Sequence, residues 1–200
     1  MHDSAKGFGF LFFDTYSENF TKGETTPIAL EIGVGIDKTL ANKAVSAGFN
    51  YHGIDQIHTD DPDDVYTLPF ADGSVDVIVS SSCFEHDFFF WITFLEIMRV
   101  LKPNGLFYLN APSKGGFHRY PLDCYRFYPD AGAALVKWGK KNRMDVHLLE
   151  TFTDLSAESW KDYVAVFLKD ASRKSDYKKL MSDSLSGASV FKIDPAGSYT

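Results

Sequence analysis

The chain has 200 residues, 44% of them hydrophobic, which is enough for one domain with a single well-sized core. Its net charge of -7 argues against broad attraction to nucleic acid, because such attraction needs clustered lysines and arginines. The two cysteines lie outside any CxxC spacing, so no disulfide is expected. Charged residues interrupt the most apolar window, at 84–101, so it cannot span a membrane. With no signal segment, the sequence predicts a soluble cytoplasmic protein.

Helix and strand patterns alternate along the chain. Spaced aromatic residues predict an N-terminal helix over 3–20, and residues 21–27, rich in glycine, threonine and proline, form a connector. Short apolar runs then predict buried strands, and patterns with one apolar face predict helices. The strands are expected from residue 28 and at 51–55, 75–80, 106–110, 146–152 and 163–168, and the helices at 37–47, 87–101 and 130–142.

This order of elements predicts an α/β protein with a largely parallel sheet and helices on both faces. No helix separates the last two strands, so we expect them to pair as an antiparallel hairpin at the sheet edge. The polar segment 56–64 leaves room only for a short, irregular strand. Residues 1–169 are predicted to form one domain, and residues 170–200, rich in polar residues, a mobile tail.

The segment 28–35 carries the strongest local signal. A short apolar run contains Glu31 and ends in Gly33 and Gly35, two glycines that let the backbone turn sharply and approach a ligand. Ligands of open parallel sheets bind outside the carboxyl ends of the strands. The segment therefore predicts the first strand and the ligand loop of a nucleotide-type domain.

A second acid indicates that the ligand contains a ribose. Asp55 lies about twenty residues beyond the loop, where a carboxylate can accept hydrogen bonds from ribose hydroxyls. Lys38 stands where a dinucleotide fingerprint has its third glycine, and Asp37 beside it would repel a pyrophosphate. A ribose-bearing cation without phosphate, such as S-adenosylmethionine, fits better, with Glu31 at its amino end. In the simpler alternative, Glu31 only organises the loop and Asp55 only caps a strand.

Several motifs in the same order resemble those of class I S-adenosylmethionine-dependent methyltransferases, in particular the type 11 group. Segment 31–35 resembles their first motif, and Asp55 their ribose-binding acid. Asp64 precedes the stretch 68–76, where that family places an acid that contacts adenine. The segments 79–86 and 99–105 resemble later motifs of the family.

The resemblance implies the fold and cofactor of that family. The fold would be Rossmann-like, with a mostly parallel seven-stranded sheet, an antiparallel edge hairpin and helices on both faces. The cofactor would be S-adenosylmethionine, which becomes S-adenosylhomocysteine after methyl transfer. The residues that the resemblance assigns to cofactor binding are Glu31, Gly33, Gly35, Asp55, Asp64, Val65 and Ser81.

Two departures from the family pattern indicate a subgroup. The loop lacks the third glycine, and the helix that usually follows the second strand is missing between Asp55 and Asp64. A compressed segment of this kind resembles methyltransferases associated with bacterial surface polysaccharides and glycans. Residues 1–4 and 117–129 resemble the same subgroup. The resemblance implies a role in polysaccharide biosynthesis, with a sugar or glycan as the methyl acceptor.

Two histidines are candidates for the catalytic base. An oxygen nucleophile must lose its proton, and histidine titrates in the useful range. His118 lies in a loop expected to cover the site, and His86 begins the helix after an earlier strand, where it could equally serve as a cap. Aromatic rings near His118 can stack on sugars, and arginines can bind anions. The predicted substrate-binding residues are Arg119, Tyr120, Asp123, Tyr125 and Arg126.

A structural role is the simpler alternative for this loop, with its rings packed on the sheet and its arginines paired with Asp123 and Asp130. No metal site is expected, because the acidic run at 60–64 is interrupted by Pro62 and such runs are usually solvated. The leading hypothesis is methylation of a sugar, glycan or small-molecule hydroxyl by in-line transfer. Its alternatives are a non-catalytic partner of the same fold in a biosynthetic complex and a nicotinamide oxidoreductase, which the sequence at 37–38 disfavours.

Overall fold

The computed structural model describes residues 3–35, 37–55, 66–156, 158–185 and 190–193. Within these ranges the chain forms four α-helices and seven strands. The helices are α1 (Asp3–Tyr16), α2 (Thr39–Ser46), α3 (Phe90–Val100) and α4 (Ala131–Lys141). The strands are β1 (Ile28–Ile32), β2 (Asn50–Ile54), β3 (Val75–Ser81), β4 (Leu101–Lys114), β5 (Val146–Asp154), β6 (Lys161–Lys169) and β7 (Val190–Ile193). The strand predicted at 56–64 lies outside the described residues.

The strands form one sheet in the order β2-β1-β3-β4-β6-β5-β7. The pairs β2–β1, β1–β3 and β3–β4 are parallel, whereas β4–β6, β6–β5 and β5–β7 are antiparallel. The short connection at 155–160 turns the chain directly from β5 into β6, so the predicted antiparallel hairpin is confirmed. The sheet is mixed: β6 and β7 run against the other five strands, so half of these pairings are antiparallel. The prediction that the hairpin forms the edge is wrong, since β7 pairs with β5 outside it.

Helices cover both faces of the sheet, as predicted for a Rossmann-like α/β fold. On one face, Phe94 and Met98 of α3 pack in the same buried cluster as Phe107 of β4. On the other face, Phe12 of α1 packs against Tyr108, the next residue of β4. Successive residues of a strand point to opposite faces, so this one strand contributes to both cores. Burial of each such aromatic side chain contributes about 1.5–3 kcal/mol to the free energy of folding.

Helix α3 begins at Phe90, three residues later than predicted, because an aspartate caps the chain before it. The carboxylate of Asp87 accepts hydrogen bonds from the backbone N–H of Phe89, at 2.8 Å, and from the hydroxyl of Thr93. Such bonds satisfy donors that the first helical turn leaves free. The cap is therefore supplied by Asp87 and not by His86.

The described residues 170–185 include side chains and backbone groups that pack against the sheet domain. Tyr177 and Met181 are buried, and the hydroxyl of Tyr177 donates to the carbonyl of Asn104 at 2.7 Å. The backbone N–H groups of Met181 and Ser182 donate to the buried carboxylate of Glu150 at 3.0 and 2.9 Å. Two kinds of contact therefore hold this polar segment: a few buried apolar side chains, and one buried carboxylate that accepts two of its backbone hydrogen bonds.

Candidate functional site

The loop after β1 is built around Gly33. This residue has a φ of +85°, a conformation that side chains disfavour. A Cβ atom at Gly33 would also lie 2.5 Å from the Cβ of Cys83, which follows β3. A Cβ at Gly35, by contrast, would meet no atom of the described residues within 4 Å. The fold itself requires the first glycine, whereas the second borders open space that a ligand can approach.

Two of the predicted cofactor residues lie beside this loop. Glu31 is 2% exposed and accepts a hydrogen bond from the hydroxyl of Tyr51 at 2.8 Å. Burial raises the pKa of the Glu31 carboxyl. The backbone N–H of Gly33 donates to the carbonyl of Ile54 at 2.8 Å, which places the loop next to exposed Asp55. The structure thus brings together Glu31, Gly33, Gly35 and Asp55, while predicted Asp64 and Val65 lie outside the described residues.

Asp37 does not act as an isolated negative charge. Its carboxylate lies 2.9 Å from the Nζ of Lys6 in α1 and accepts from the backbone N–H of Thr39 at 3.0 Å. The hydrogen bond from Lys6 is the main reason why the pKa of Asp37 is well below its usual range. Repulsion of a phosphate by Asp37 is therefore weaker than the sequence suggests. The missing third glycine still distinguishes the loop from a dinucleotide fingerprint.

Ser81 has a contact that the sequence does not predict. Its hydroxyl is buried and donates to the side-chain oxygen of Asn110 at 3.2 Å, which links the ends of β3 and β4. The next N–H, from Ser82, donates to the backbone carbonyl of Asn110 at 3.0 Å. These bonds fasten the end of β3 and the residue after it to β4. A role of Ser81 in cofactor binding stays a prediction.

The loop 115–130 is held together by Asp123 and Arg126. Asp123 accepts from the backbone N–H of His118 at 2.7 Å and pairs with the guanidinium of Arg126, which also donates to the carbonyl of Gly116 at 2.9 Å. The hydrogen bond from Arg126 is the main cause that keeps the pKa of Asp123 well below its usual range. For Arg126 the structural alternative is therefore supported, since Asp123 and Arg126 bind each other inside the loop.

The same loop is fastened to the segment that follows β3. The backbone carbonyl of Glu85 accepts hydrogen bonds from the N–H groups of Cys124 and Tyr125, at 2.7 and 3.1 Å. The hydroxyl of Tyr125 donates to the carbonyl of Phe88 at 2.9 Å. Arg119 and Tyr120 instead lie on the outside of the loop, where Tyr120 is 68% exposed. Of the predicted substrate residues, these two are placed to meet a ligand from solution.

The two candidate bases lie side by side. The ring centroids of His86 and His118 are 4.9 Å apart, and the ring of Trp160 lies 5.3 Å from that of His118. His86 is buried, and its Nδ1 is hydrogen-bonded to the carbonyl of Leu122. Burial is the largest influence on His86 and lowers its pKa, which favours the neutral imidazole. His118 is partly exposed and is the one that a substrate can reach more directly.

Glu85 is a residue of this site that the sequence analysis missed. Its side chain is fully buried, and neither carboxylate oxygen has a hydrogen-bond partner among the described residues. One oxygen lies 3.6 Å from the Nε2 of His86. Burial raises the pKa of Glu85 to about 8. Its position directly before His86, at the end of an apolar strand, is the sequence signal that could have identified it.

A cavity of about 590 Å³ opens beside the loop, between α3 and α4. Its walls are mostly aromatic and include Phe90, Trp91, Tyr125, Tyr128 and Trp138. Tyr125 belongs both to this cavity and to the loop that carries His118. The cavity therefore adjoins the histidine pair through that loop, and its rings suit an apolar or sugar-bearing group.

Comparisons with known proteins agree with this geometry. Residues 30–109 match a family model described as a methyltransferase domain. The chain resembles a SAM-dependent methyltransferase from Archaeoglobus fulgidus, with 15% identity over 82% of this chain and 94% of that one and a TM-score of 0.57. It also resembles the Burkholderia thailandensis 1,6-didemethyltoxoflavin-N1-methyltransferase with bound S-adenosylhomocysteine, with 13% identity over 84% and 79% of the two chains and a TM-score of 0.57. No curated protein matches the chain. At these identities the structural likeness shows the fold.

S-adenosylmethionine fits the residues at this edge of the sheet and is the cofactor that the family match supports. The open space at Gly35 lets the backbone approach the ligand, while Glu31 and Asp55 offer carboxylates for an ammonium group and for ribose hydroxyls. In the ranges that the structure describes, no helix is long and apolar enough to cross a bilayer.

Proposed function

We propose that this chain is an S-adenosylmethionine-dependent methyltransferase that methylates a hydroxyl of a sugar, glycan or related small molecule. The observation that carries the proposal is the pair of adjacent imidazoles, His86 and His118, in the loops after β3 and β4. β3 pairs in parallel with β1, and β4 pairs in parallel with β3, so both loops leave the sheet at the same edge as the glycine loop. Transfer to oxygen needs a proton acceptor at that edge, and these residues supply one.

The chain's residues perform two tasks in this reaction. Bound S-adenosylmethionine supplies an electrophilic methyl group whose carbon–sulfur bond breaks as the acceptor oxygen attacks in line. His118 is the proposed base that takes the hydroxyl proton, and buried His86, held by Leu122, fixes the position of the neighbouring ring. Alignment of the reactants contributes much of the rate in such displacements. The hydrogen bond that the backbone N–H of His118 donates to the carboxylate of Asp123 keeps the base in place.

The acceptor contacts are assigned to the outer face of the same loop. Arg119 and Tyr120 are exposed beside His118, and the aromatic cavity near Tyr125 lies on the other side of the loop. An aromatic face can stack on a sugar ring, and a guanidinium can bind a carboxylate or phosphate in bidentate fashion. These features support an acceptor that combines a ring with an anionic group.

Methyl transfer tests the proposal. Incubation of the protein with S-adenosylmethionine and a panel of sugars, nucleotide sugars and oligosaccharides should yield S-adenosylhomocysteine together with a methyl ether, detected by mass spectrometry. His118→Ala should lose most of the turnover, by roughly 10²–10⁴-fold for a general base, whereas His147→Ala should retain it. Unchanged turnover in His118→Ala would exclude this base. A product methylated on nitrogen or carbon would exclude the hydroxyl acceptor.

The non-catalytic alternative predicts a different result. A partner domain of the same fold would bind S-adenosylhomocysteine in calorimetry but would transfer no methyl group to any acceptor in the panel. Identification of a small molecule that copurifies with the protein would further separate the two, because an enzyme's acceptor or product carries a methylatable group.

A further inference from the structure

Three side chains of types that bind metal ions lie together beyond the end of β3. Glu85, His86 and His118 each offer one ligand atom, and these atoms all lie within 4.8 Å of one another. Glu85 and His86 follow β3, and His118 follows β4, its parallel neighbour. Two loops from one edge of the sheet thus bring two imidazoles and a carboxylate together, a ligand set suited to divalent transition metals.

The carboxyl group of Glu85 lacks the hydrogen-bond partners that a buried polar group needs. Its side chain is fully buried, and among the described residues no donor is hydrogen-bonded to either of its oxygens. Its position is fixed nonetheless, because its backbone carbonyl accepts from Cys124 and Tyr125. A buried polar group without a partner is costly, and native proteins seldom retain one without a function. A bound cation would satisfy both oxygens.

The orientation of His86 is typical of a metal ligand. Its Nδ1 is hydrogen-bonded to the carbonyl of Leu122, which leaves Nε2 free of its proton. That Nε2 lies 3.6 Å from the Oε1 of Glu85, so the free lone pair and the carboxylate lie next to each other. Metal-binding histidines commonly donate their other N–H to a backbone carbonyl, which fixes the ring.

We propose that Glu85, His86 and His118 bind a divalent transition-metal ion such as Zn²⁺. Two histidines and one carboxylate leave a position on a four-coordinate ion for an exogenous oxygen. This site differs from the acidic run at 60–64, for which no metal site was expected. The role of the ion rests on the proposed function, since the open position would take the acceptor hydroxyl.

The ion would change how that hydroxyl loses its proton. Nitrogen lone pairs that bind a metal cannot accept a proton at the same time. In the loaded protein, the O–H bond of the coordinated hydroxyl breaks, the proton leaves to water and the oxygen keeps the electron pair, because the metal makes the bound hydroxyl more acidic. The two histidines then serve as ligands, and the metal-free protein uses His118 as base.

Zinc binding tests the site without reference to activity. The full-length chain is treated with a chelator, dialysed and titrated with ZnCl₂ in a calorimeter. We expect the unmodified chain to bind one zinc ion. Glu85→Gln and His118→Ala should each weaken the affinity for zinc by more than about a hundredfold, because loss of a direct ligand costs more than loss of a residue that only holds a ligand in place. His147→Ala is the matched control, because this histidine pairs with Asp145 away from the site, and it should bind zinc as the unmodified chain does.

The outcomes separate this proposal from the proposed function. No zinc binding by the unmodified chain, or full affinity in His118→Ala, would overturn the metal site. Because Glu85 is buried, circular dichroism must show that Glu85→Gln folds, and His118→Ala provides the second, more exposed variant. The same chelated samples are titrated with S-adenosylhomocysteine and assayed for methyl transfer. Methyl transfer to a hydroxyl without zinc binding refutes the metal site alone, and zinc binding without any methyl transfer refutes the proposed reaction.

Discussion

Lys6 in helix α1 lies 2.9 Å from the carboxylate of Asp37, just beyond the glycine loop. The ion pair fastens the N-terminal helix to the segment that precedes α2. It also compensates a negative charge next to the cofactor edge. Because both side chains are about one-third exposed, solvent screens the pair and it contributes little to stability.

Lys6→Met should change cofactor preference more than stability. The variant leaves the charge of Asp37 uncompensated, which favours the cationic sulfonium of S-adenosylmethionine over neutral S-adenosylhomocysteine. We expect the ratio of the two affinities to shift towards S-adenosylmethionine by up to roughly fivefold, or about 1 kcal/mol. Calorimetric titration with both ligands measures it. Asp37→Asn should shift the ratio in the opposite direction, and equal shifts in both variants would contradict the explanation.

Gly33→Ala and Gly35→Ala should behave differently. Alanine at position 33 must adopt a positive φ, which lowers the free energy of unfolding by about 1–3 kcal/mol. The contact of its Cβ with Cys83 should lower it further. Alanine at position 35 meets no atom in the part of the chain that the structure describes and should change stability by less than about 0.5 kcal/mol. Chemical denaturation measures both. Position 35 should instead lose affinity for S-adenosylhomocysteine, since a ligand would meet the added methyl group.

The pH dependence of cofactor binding should report Glu31. Burial raises the pKa of its carboxyl, so the folded protein keeps this proton at pH values where a free glutamate has lost it. The ionised form is the one that attracts an ammonium group. Affinity for S-adenosylhomocysteine should therefore rise as the pH increases above the range in which a free glutamate ionises. The same shift makes the contribution of Glu31 to stability fall as the pH rises above that range.

Glu31→Gln supplies the control for this titration. It keeps the shape of the side chain and an oxygen acceptor for the hydroxyl of Tyr51, but it cannot ionise. Affinity in the variant should be weaker at neutral pH and nearly constant across the range. A variant with the pH dependence of the unmodified chain would assign the effect to another group.

Arg119 and Arg126 lie seven residues apart in the same loop, and their replacement should have different effects on stability. Arg126→Ala leaves Asp123 buried without its cation and should lower the free energy of unfolding by about 1–3 kcal/mol. Arg119→Ala removes an exposed side chain and should change it by less than about 0.5 kcal/mol. Thermal and chemical unfolding measure the difference. Equal stability of the two variants would show that Arg126 does not hold the loop.

The order of elements was predictable because apolar periodicity and turn residues are local signals. Strands β1, β3, β5 and β6 and helices α2 and α4 lie within a few residues of their predicted positions. The antiparallel strand β7 was not predictable, because it comes from a polar segment and its pairing with β5 depends on tertiary contacts. Sequence composition carries little information about a strand of four residues at an edge.

The candidate site was predictable in its residue types and less so in their roles. His86 and His118 were identified as bases, and the structure brings their rings together. The pattern could not show that Asp123 and Arg126 bind each other, since loop contacts depend on how the chain turns. It also could not show that Glu85 is buried without a partner, because burial of a charged side chain is set by the packing of several elements.

The carboxylate of Glu150 has a wider consequence through helix α1. It accepts from the hydroxyl of Tyr16 in α1 and from the backbone of Met181 and Ser182. The same helix carries Lys6 to Asp37 beside the cofactor loop. Residues near 180, remote in sequence from the cofactor, are therefore mechanically linked to it by a single helix. A binding partner that pulled this C-terminal segment from the sheet would loosen the cofactor site without touching it.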